Sequence, residues 1–370
     1  MILARQRIGA AFGGAEGYVA MLARALRDRG ADVRLMAQRI GEDVSRDEFP
    51  VIRAPDRPFN LWGVWLFSRF VRQYLERHPG ETVISFDRVP GVDFFRAGDG
   101  CHAAYMDAMG CGALDRLSLK HLLMLSLERR MFAHPKLRLV IANSKMGADE
   151  IQREYGVPSE KIRIIYTGLA PGRALLPKSD ARSKLGLDES LRVLLFAGHH
   201  YERKGLSTLL QSIGIMDKKG HRAAVKRNWI LLVAGKGDAD TYRLAAKGLG
   251  IHDSVVFLGP CDLDAYFAAA DLFVLPTRYD PLARVCLEAA RAGLPVMTTR
   301  RNGFCEWLNE SDGFILERPT DADTLARMIE RAFTINLEDA GRRLQSKVAH
   351  LTIERNAEEI LECLKVFGGK

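Results

Sequence analysis

The stretch 271-DLFVLPTRYDPLARVCLEAARAGLPVMTT-299 reads as strand, loop, helix and strand in succession. The run 272–276 is apolar and of strand length, TRYDPLA is a turn-forming loop, and 283–293 carries a helical pattern closed by Gly293. The run 294–299 is again apolar and partly β-branched. Apolar strands with no polar face, joined through a helix, are the grammar of a parallel sheet covered on both sides. Two acids stand out in the stretch. Asp280 precedes Pro281 in the loop, and Glu288 lies in the helix among Val285, Leu287, Ala289 and Ala290. A carboxylate with such neighbours calls for a partner, and a pair of hydroxyls such as a ribose diol would satisfy it. The helix start offers amides at Leu282, Ala283 and Arg284, where the helix dipole attracts an anion.

The same alternation extends outward in both directions. Strand-like runs fall at 192–198, 228–235 and 254–259 before this unit, with helical patterns between them. An earlier series holds runs at 1–6, 32–38, 82–87, 137–144 and 161–168, with helices expected over 15–29, 59–78, 121–132 and 145–156. The first of these strands reads a few residues short. Between the series, 169-LAPGRALLPKSDARSKLGL-187 is polar, contains Pro and Gly, and lacks a clean period, so it is expected to link the two. The expectation is an α/β protein of two Rossmann-like domains with parallel sheets, spanning 1–168 and 169–349, with a C-terminal helix over about 350–370 packing back on the first.

Composition agrees with a globular enzyme-sized chain: 370 residues, 47% hydrophobic and 27% charged. No run approaches the ~18 apolar residues of a spanning helix, and no secretion signal is recognisable at the N-terminus. The six cysteines at 101, 111, 261, 286, 305 and 363 form no C-x-x-C pair, which fits a reduced cytosolic protein. A formal net charge of +8 suggests an anionic partner. The excess forms no basic block, which argues against nucleic acid.

Ligands of doubly wound sheets sit beyond the carboxyl ends of the strands. One such loop is 197-AGHHYERKG-205, which places Arg203 and Lys204 at a helix mouth, a cationic site suited to phosphate. Three D-x-D stretches, 238–240, 262–264 and 321–323, match the pattern of metal-dependent glycosyl transfer, but they read as solvated loop or helix-start acids. No metal site is expected. A retaining glycosidase would need two carboxyls about 5–5.5 Å apart, and the Arg-Lys pair would then have no purpose.

Together, 12-FGGAEGYV-19, 197-AGHHYERKG-205, 271–299 and 302-NGFCE-306 resemble glycosyltransferase family 4. The stretch 86-FDRVPGVDFFRAGDGCHAAY-105 is similar to the lipopolysaccharide core glucosyltransferases of that family. The resemblance implies the GT-B architecture, two Rossmann-like domains facing across an interdomain cleft, and a hexosyltransferase that retains anomeric configuration. It implies that Arg203 and Lys204 hold the donor diphosphate, that Asp280 is the first acid of an E-x7-E motif near the donor sugar, and that Glu288 binds the ribose. It places Gly13 and Gly14 in a loop approached by the donor phosphate, sets Gly198 with the donor site, and turns Asp99 toward the transferred sugar. His102 is a possible helper of Asp99, and a structural histidine is the plainer alternative. The family's usual first acid is Glu, so Asp280 is one methylene short.

The donor so implied is a UDP-sugar, with UDP-glucose the family-level expectation, and the acceptor a lipopolysaccharide inner-core or related glycolipid. Another glycan or lipid-phosphate acceptor, or a catalytically idle nucleotide-sugar-binding protein, are the alternatives. The helical part of 101–132 mixes apolar residues with Arg and Lys and is expected either to lie on an anionic inner-membrane surface, on its cytoplasmic face, or simply to face the core.

Overall fold

The computed structural model describes residues 1–45, 47–56, 61–221 and 228–368. Residues 59–60 of the first expected long helix, and 369–370 at the C-terminus, lie outside that set. The chain forms two compact units, Met1–Pro171 with Leu351–Lys370, and Gly172–His350.

In the first unit a parallel seven-stranded sheet runs Val51–Arg53, Arg34–Ala37, Ile2–Ala4, Val83–Ser85, Phe94–Ala97, Leu139–Ala142 and Ile162–Ile164 from edge to edge. Alternation along Ile2–Ala4 assigns its two faces. Leu3 packs with Val19, Leu22 and Leu26 of the Gly14–Arg27 helix and with Ile353 and Ile360 of the C-terminal helix Ile353–Phe367. Ile2 and Ala4 pack on the opposite side with Phe67 and Val71 of the Leu61–Arg77 helix. Burying each such side chain stabilises the fold by about 1.5–3 kcal/mol. The C-terminal helix is fastened by polar contacts too: the Tyr18 hydroxyl donates to Asn356 Oδ1 at 2.6 Å, and Asn356 Nδ2 donates to the Tyr166 carbonyl at 2.6 Å.

The second unit has a parallel six-stranded sheet in the order Val255–Gly259, Trp229–Ala234, Arg192–Ala197, Leu272–Leu275, Val296–Thr299 and Gly313–Leu316. Both sheets reverse direction of build beside their first strand. In the second unit that switch point lies between Arg192–Ala197 and Leu272–Leu275, so the loops leaving these two strands, 198–205 and 276–283, open at the place where doubly wound sheets bind ligands.

Three strands of these two sheets were not expected from the sequence: Val51–Arg53, Phe94–Ala97 and Gly313–Leu316. Each has three or four residues, too few for a period to show. Phe94–Ala97 also carries Arg96, which is 1% exposed and lies over the Tyr18 ring, a burial that no apolar pattern signals. The segment expected to be a link contains a helix, Lys178–Leu185, ended by Gly186 in the left-handed conformation. Its Arg182 is buried and binds the Ala269 carbonyl and Asp271, so tertiary contacts rather than an apolar stripe hold it. No helix among the described residues is long and apolar enough to cross a membrane.

Candidate functional site

The loop after Arg192–Ala197 folds tightly back on itself. His200 sits in the left-handed region at φ 58°, and its carbonyl accepts from the Lys204 amide at 3.1 Å. Gly205 closes the loop at φ 81°, where a Cβ would stand 1.9 Å from the Pro276 carbonyl oxygen, so only glycine lets this loop meet the one after Leu272–Leu275. The two loops are then stitched together. The Arg203 carbonyl accepts from the Arg278 amide at 2.8 Å and the Thr277 hydroxyl at 3.0 Å, and Arg203 Nη1 donates to the Tyr279 carbonyl at 2.9 Å.

This stitching brings Arg203, Lys204 and Asp280 together. Arg203 Nη1 lies 3.3 Å from Asp280 Oδ2, and Lys204 Nζ donates to the same oxygen. Lys204 and Asp280 are 8% and 7% exposed. Burial alone would push the Asp280 carboxyl up; Lys204 and then Arg203 outweigh it and hold the group below the usual carboxylate range. The stem of Lys204 passes within 3.2 Å of the position of a Cβ on Gly198, so that glycine makes room for the lysine.

Glu288 stands on the helix Arg284–Arg291, whose Cys286, Leu287, Ala289 and Ala290 are buried. Arg284, Glu288 and Arg291 form a partly exposed stripe at helical spacing, with Val285 also partly buried. That answers why an apolar helix tolerates the acid. Glu288 is 27% exposed and paired with Arg284 at 3.0 Å. Burial raises its carboxyl, with Arg284 and Arg291 pulling it back down. The buried Cys286 thiol, on the same helix as Glu288, is pushed up by burial.

Asn302 organises this neighbourhood and was not singled out from the sequence. It is fully buried. Its Oδ1 accepts from the amides of Ala283 and Phe304 at 3.1 Å each, and its Nδ2 donates to Thr298 Oγ1 at 2.9 Å. The expected free amide at Ala283 is therefore occupied. The Asp280 backbone is pinned beside it, its amide donating to the Arg301 carbonyl at 2.9 Å and its carbonyl accepting from the Gly303 amide at 3.0 Å. A visible signal existed: Asn302 directly follows the loop that leaves the fifth strand of the unit.

In the first unit the equivalent strand ends hold a different set. Gly13, at φ 146°, precedes the Gly14–Arg27 helix, and a Cβ there would meet Glu16 Oε2 at 2.8 Å. Asp99 is 43% exposed and lies 3.3 Å from Arg5 Nη2, which also reaches Glu16 Oε1 at 3.5 Å. Arg5 directly follows the first strand and is 7% exposed, yet a lone arginine there carries no sequence signal. His102 is buried with its Nε2 2.8 Å from His121 Nδ1. Burial first, then Arg88, His121 and Lys120, push the His102 imidazole down to about 3, so it is neutral over the ordinary pH range.

All three D-x-D stretches lead into helices, Ala239–Gly248, Asp264–Ala269 and Ala322–Ala332. Asp238 accepts from the Thr241 amide at 3.3 Å and Asp321 from the Thr324 amide at 2.9 Å, as helix caps. Asp262 accepts from the Asp264 amide at 3.0 Å. Among the described residues no group of three or more His, Cys, Asp or Glu is placed to hold a metal ion.

Residues 12–173 match glycosyltransferase family 4, and residues 177–347 match the glycosyl transferases of group 1. The chain thus carries a family 4 glycosyltransferase domain followed by a group 1 glycosyl transferase domain. It is 28% identical over 332 residues to the lipopolysaccharide glucosyltransferase WaaG of Escherichia coli strain K12, covering 87% of each chain. The crystal structure of a WaaG superposes with a TM-score of 0.85 at 23% identity, over 100% of both chains. An Anabaena HepE structure in complex with UDP-glucose gives a TM-score of 0.75 at 19% identity, over 99% of both chains. The protein is thus a hexosyltransferase with the GT-B fold.

Proposed function

We propose that the protein is a retaining transferase that moves glucose from UDP-glucose to a lipopolysaccharide inner-core or related glycolipid acceptor. What carries the reading is the meeting of Arg203, Lys204 and Asp280 at the switch point, with Glu288 on the adjoining helix. Arg203 and Lys204 take the diphosphate, and the helix start at Leu282 and Arg284 adds its dipole. Glu288 takes the ribose hydroxyls. Asp280 serves the donor sugar, and Gly198 keeps the cation site open. In the first unit, Gly13 and Gly14 suit a phosphate and Asp99 suits a sugar hydroxyl.

The chemistry follows from charge. Departure of the nucleoside diphosphate concentrates negative charge on the β-phosphate. Fixed cations and a helix start stabilise it where it develops, and removing one such group costs about 2.7–4 kcal/mol of barrier on the scale of single oxyanion donors. With Arg and Lys supplying the counter-charge, transfer needs no metal. The helix Leu119–Phe132 buries Leu127, Glu128 and Met131, while Arg129 and Arg130 are exposed. Nearby Leu114, Leu117 and Leu119 are also exposed. This apolar and basic surface suits an anionic membrane and supports a peripheral position on the cytoplasmic face of the inner membrane, beside a lipid-linked acceptor.

A hydrolysis panel of UDP-, ADP- and GDP-sugars tests the donor reading without any acceptor. UDP-glucose should be turned over fastest. Preference for another nucleotide, or no hydrolysis of any donor, would overturn it.

A further inference from the structure

One carboxylate oxygen, Asp280 Oδ2, serves both cations of the site: Arg203 Nη1 stands 3.3 Å away and Lys204 Nζ donates to it. These are the groups that the proposed reading gives to the donor diphosphate. We infer that Asp280 competes with the diphosphate for Lys204 and Arg203, and that phosphate binding turns its carboxylate away from the cations toward the donor sugar. The inference rests on the donor reading above and adds an order to it: the phosphates must arrive before Asp280 can serve the sugar.

Three observations support it. The Asp280 backbone is held at both ends, by the Arg301 carbonyl at 2.9 Å and the Gly303 amide at 3.0 Å, so only the side chain can respond. Lys204 and Asp280 are 8% and 7% exposed, so water screens little of what passes between them and an incoming anion. The charges also balance one way only. Two cations match a diphosphate ester with one negative charge on each phosphate, whereas Asp280 left in place adds a third negative charge to two positive ones. Loss of the carboxylate should therefore help bare diphosphates while harming sugar turnover. An acid that only held the sugar would leave bare diphosphates unaffected.

The test is calorimetric titration of the full chain with UDP and, separately, with inorganic pyrophosphate, for wild type, Asp280→Asn and Asp280→Ser. Both variants should bind both probes tighter, by roughly ten-fold for one nearby unit of repulsion removed, and should hydrolyse UDP-glucose more slowly. Adding Lys204→Met to Asp280→Asn should erase the gain. Equal or weaker binding of both probes in both variants overturns the proposal, as does a gain that persists without Lys204. If pyrophosphate binding tightens while no form binds UDP, the competition stands and the nucleotide reading falls. If neither variant is folded by circular dichroism, Asp280 is a structural counter-ion and the exchange is refuted.

Discussion

Lys204→Met removes the ammonium but keeps most of the apolar stem that passes Gly198. The substitution should leave Asp280 buried beside Arg203 alone. Breaking a buried pair by deleting one partner costs about 3–5 kcal/mol, because the surviving charge is uncompensated. Arg203 remains 3.3 Å from the same oxygen, and its side chain is 25% exposed, so the loss should fall near the lower end, about 3 kcal/mol. For a unit spanning Gly172–His350 this corresponds to a fall in Tm of about 6–12 °C. The pH dependence separates charge from packing. In the wild type Asp280 titrates below its ordinary value, so its contribution is present above the unfolded carboxylate range and fades as pH falls through the lowered folded value. Without Lys204, burial dominates and the folded value rises above the unfolded one. The penalty is then full at neutral pH and shrinks as acid protonates Asp280. Differential scanning calorimetry at pH 7, 5.5 and 4 should show the gap between wild type and variant closing, and Asp280→Asn in the Lys204→Met background should recover much of it at pH 7. A gap that stays constant with pH would refute the electrostatic account and assign the loss to packing.

Asn302→Ala leaves the amides of Ala283 and Phe304 without their acceptor, at about 1–3 kcal/mol for each buried unsatisfied group; a thermal melt should show the drop, and donor hydrolysis should fall with it. Donor hydrolysis should survive excess EDTA, and its loss with recovery on adding Mn²⁺ or Mg²⁺ would show that a metal site had been dismissed wrongly. Vesicles containing anionic lipid should bind the protein in a sedimentation assay and release it at 1 M salt, where the Debye length is about 3 Å. Neutralising Arg129 and Arg130 together should weaken that binding without changing hydrolysis of soluble donor, and equal binding to neutral vesicles would return the Leu119–Phe132 helix to a purely structural role.

The sequence by itself determined the class of fold and pointed to the candidate site. Near-continuous apolar strands such as LVIA at 139–142 and LFVL at 272–275 can be buried on both faces only in a parallel, helix-covered sheet, so their pattern is a local property of the chain. Arg203 and Lys204 before a helix, and Asp280 in a loop after a strand, were legible for the same reason, since the carboxyl end of a parallel strand is where ligands bind. Tertiary structure alone decided that the two cations share one oxygen of Asp280, residues that stand 76 and 77 positions away in the chain. It decided that Asn302 takes the Ala283 amide, that Glu288 lies on a partly open stripe beside Arg284, and that His102 is spent on His121. Each of these depends on which strands become neighbours in the sheet and on which donor reaches a given acceptor first. Neither is encoded by the periodicity of any single segment, because hydrogen bonds and ion pairs act over about 3 Å in space whatever the separation along the chain.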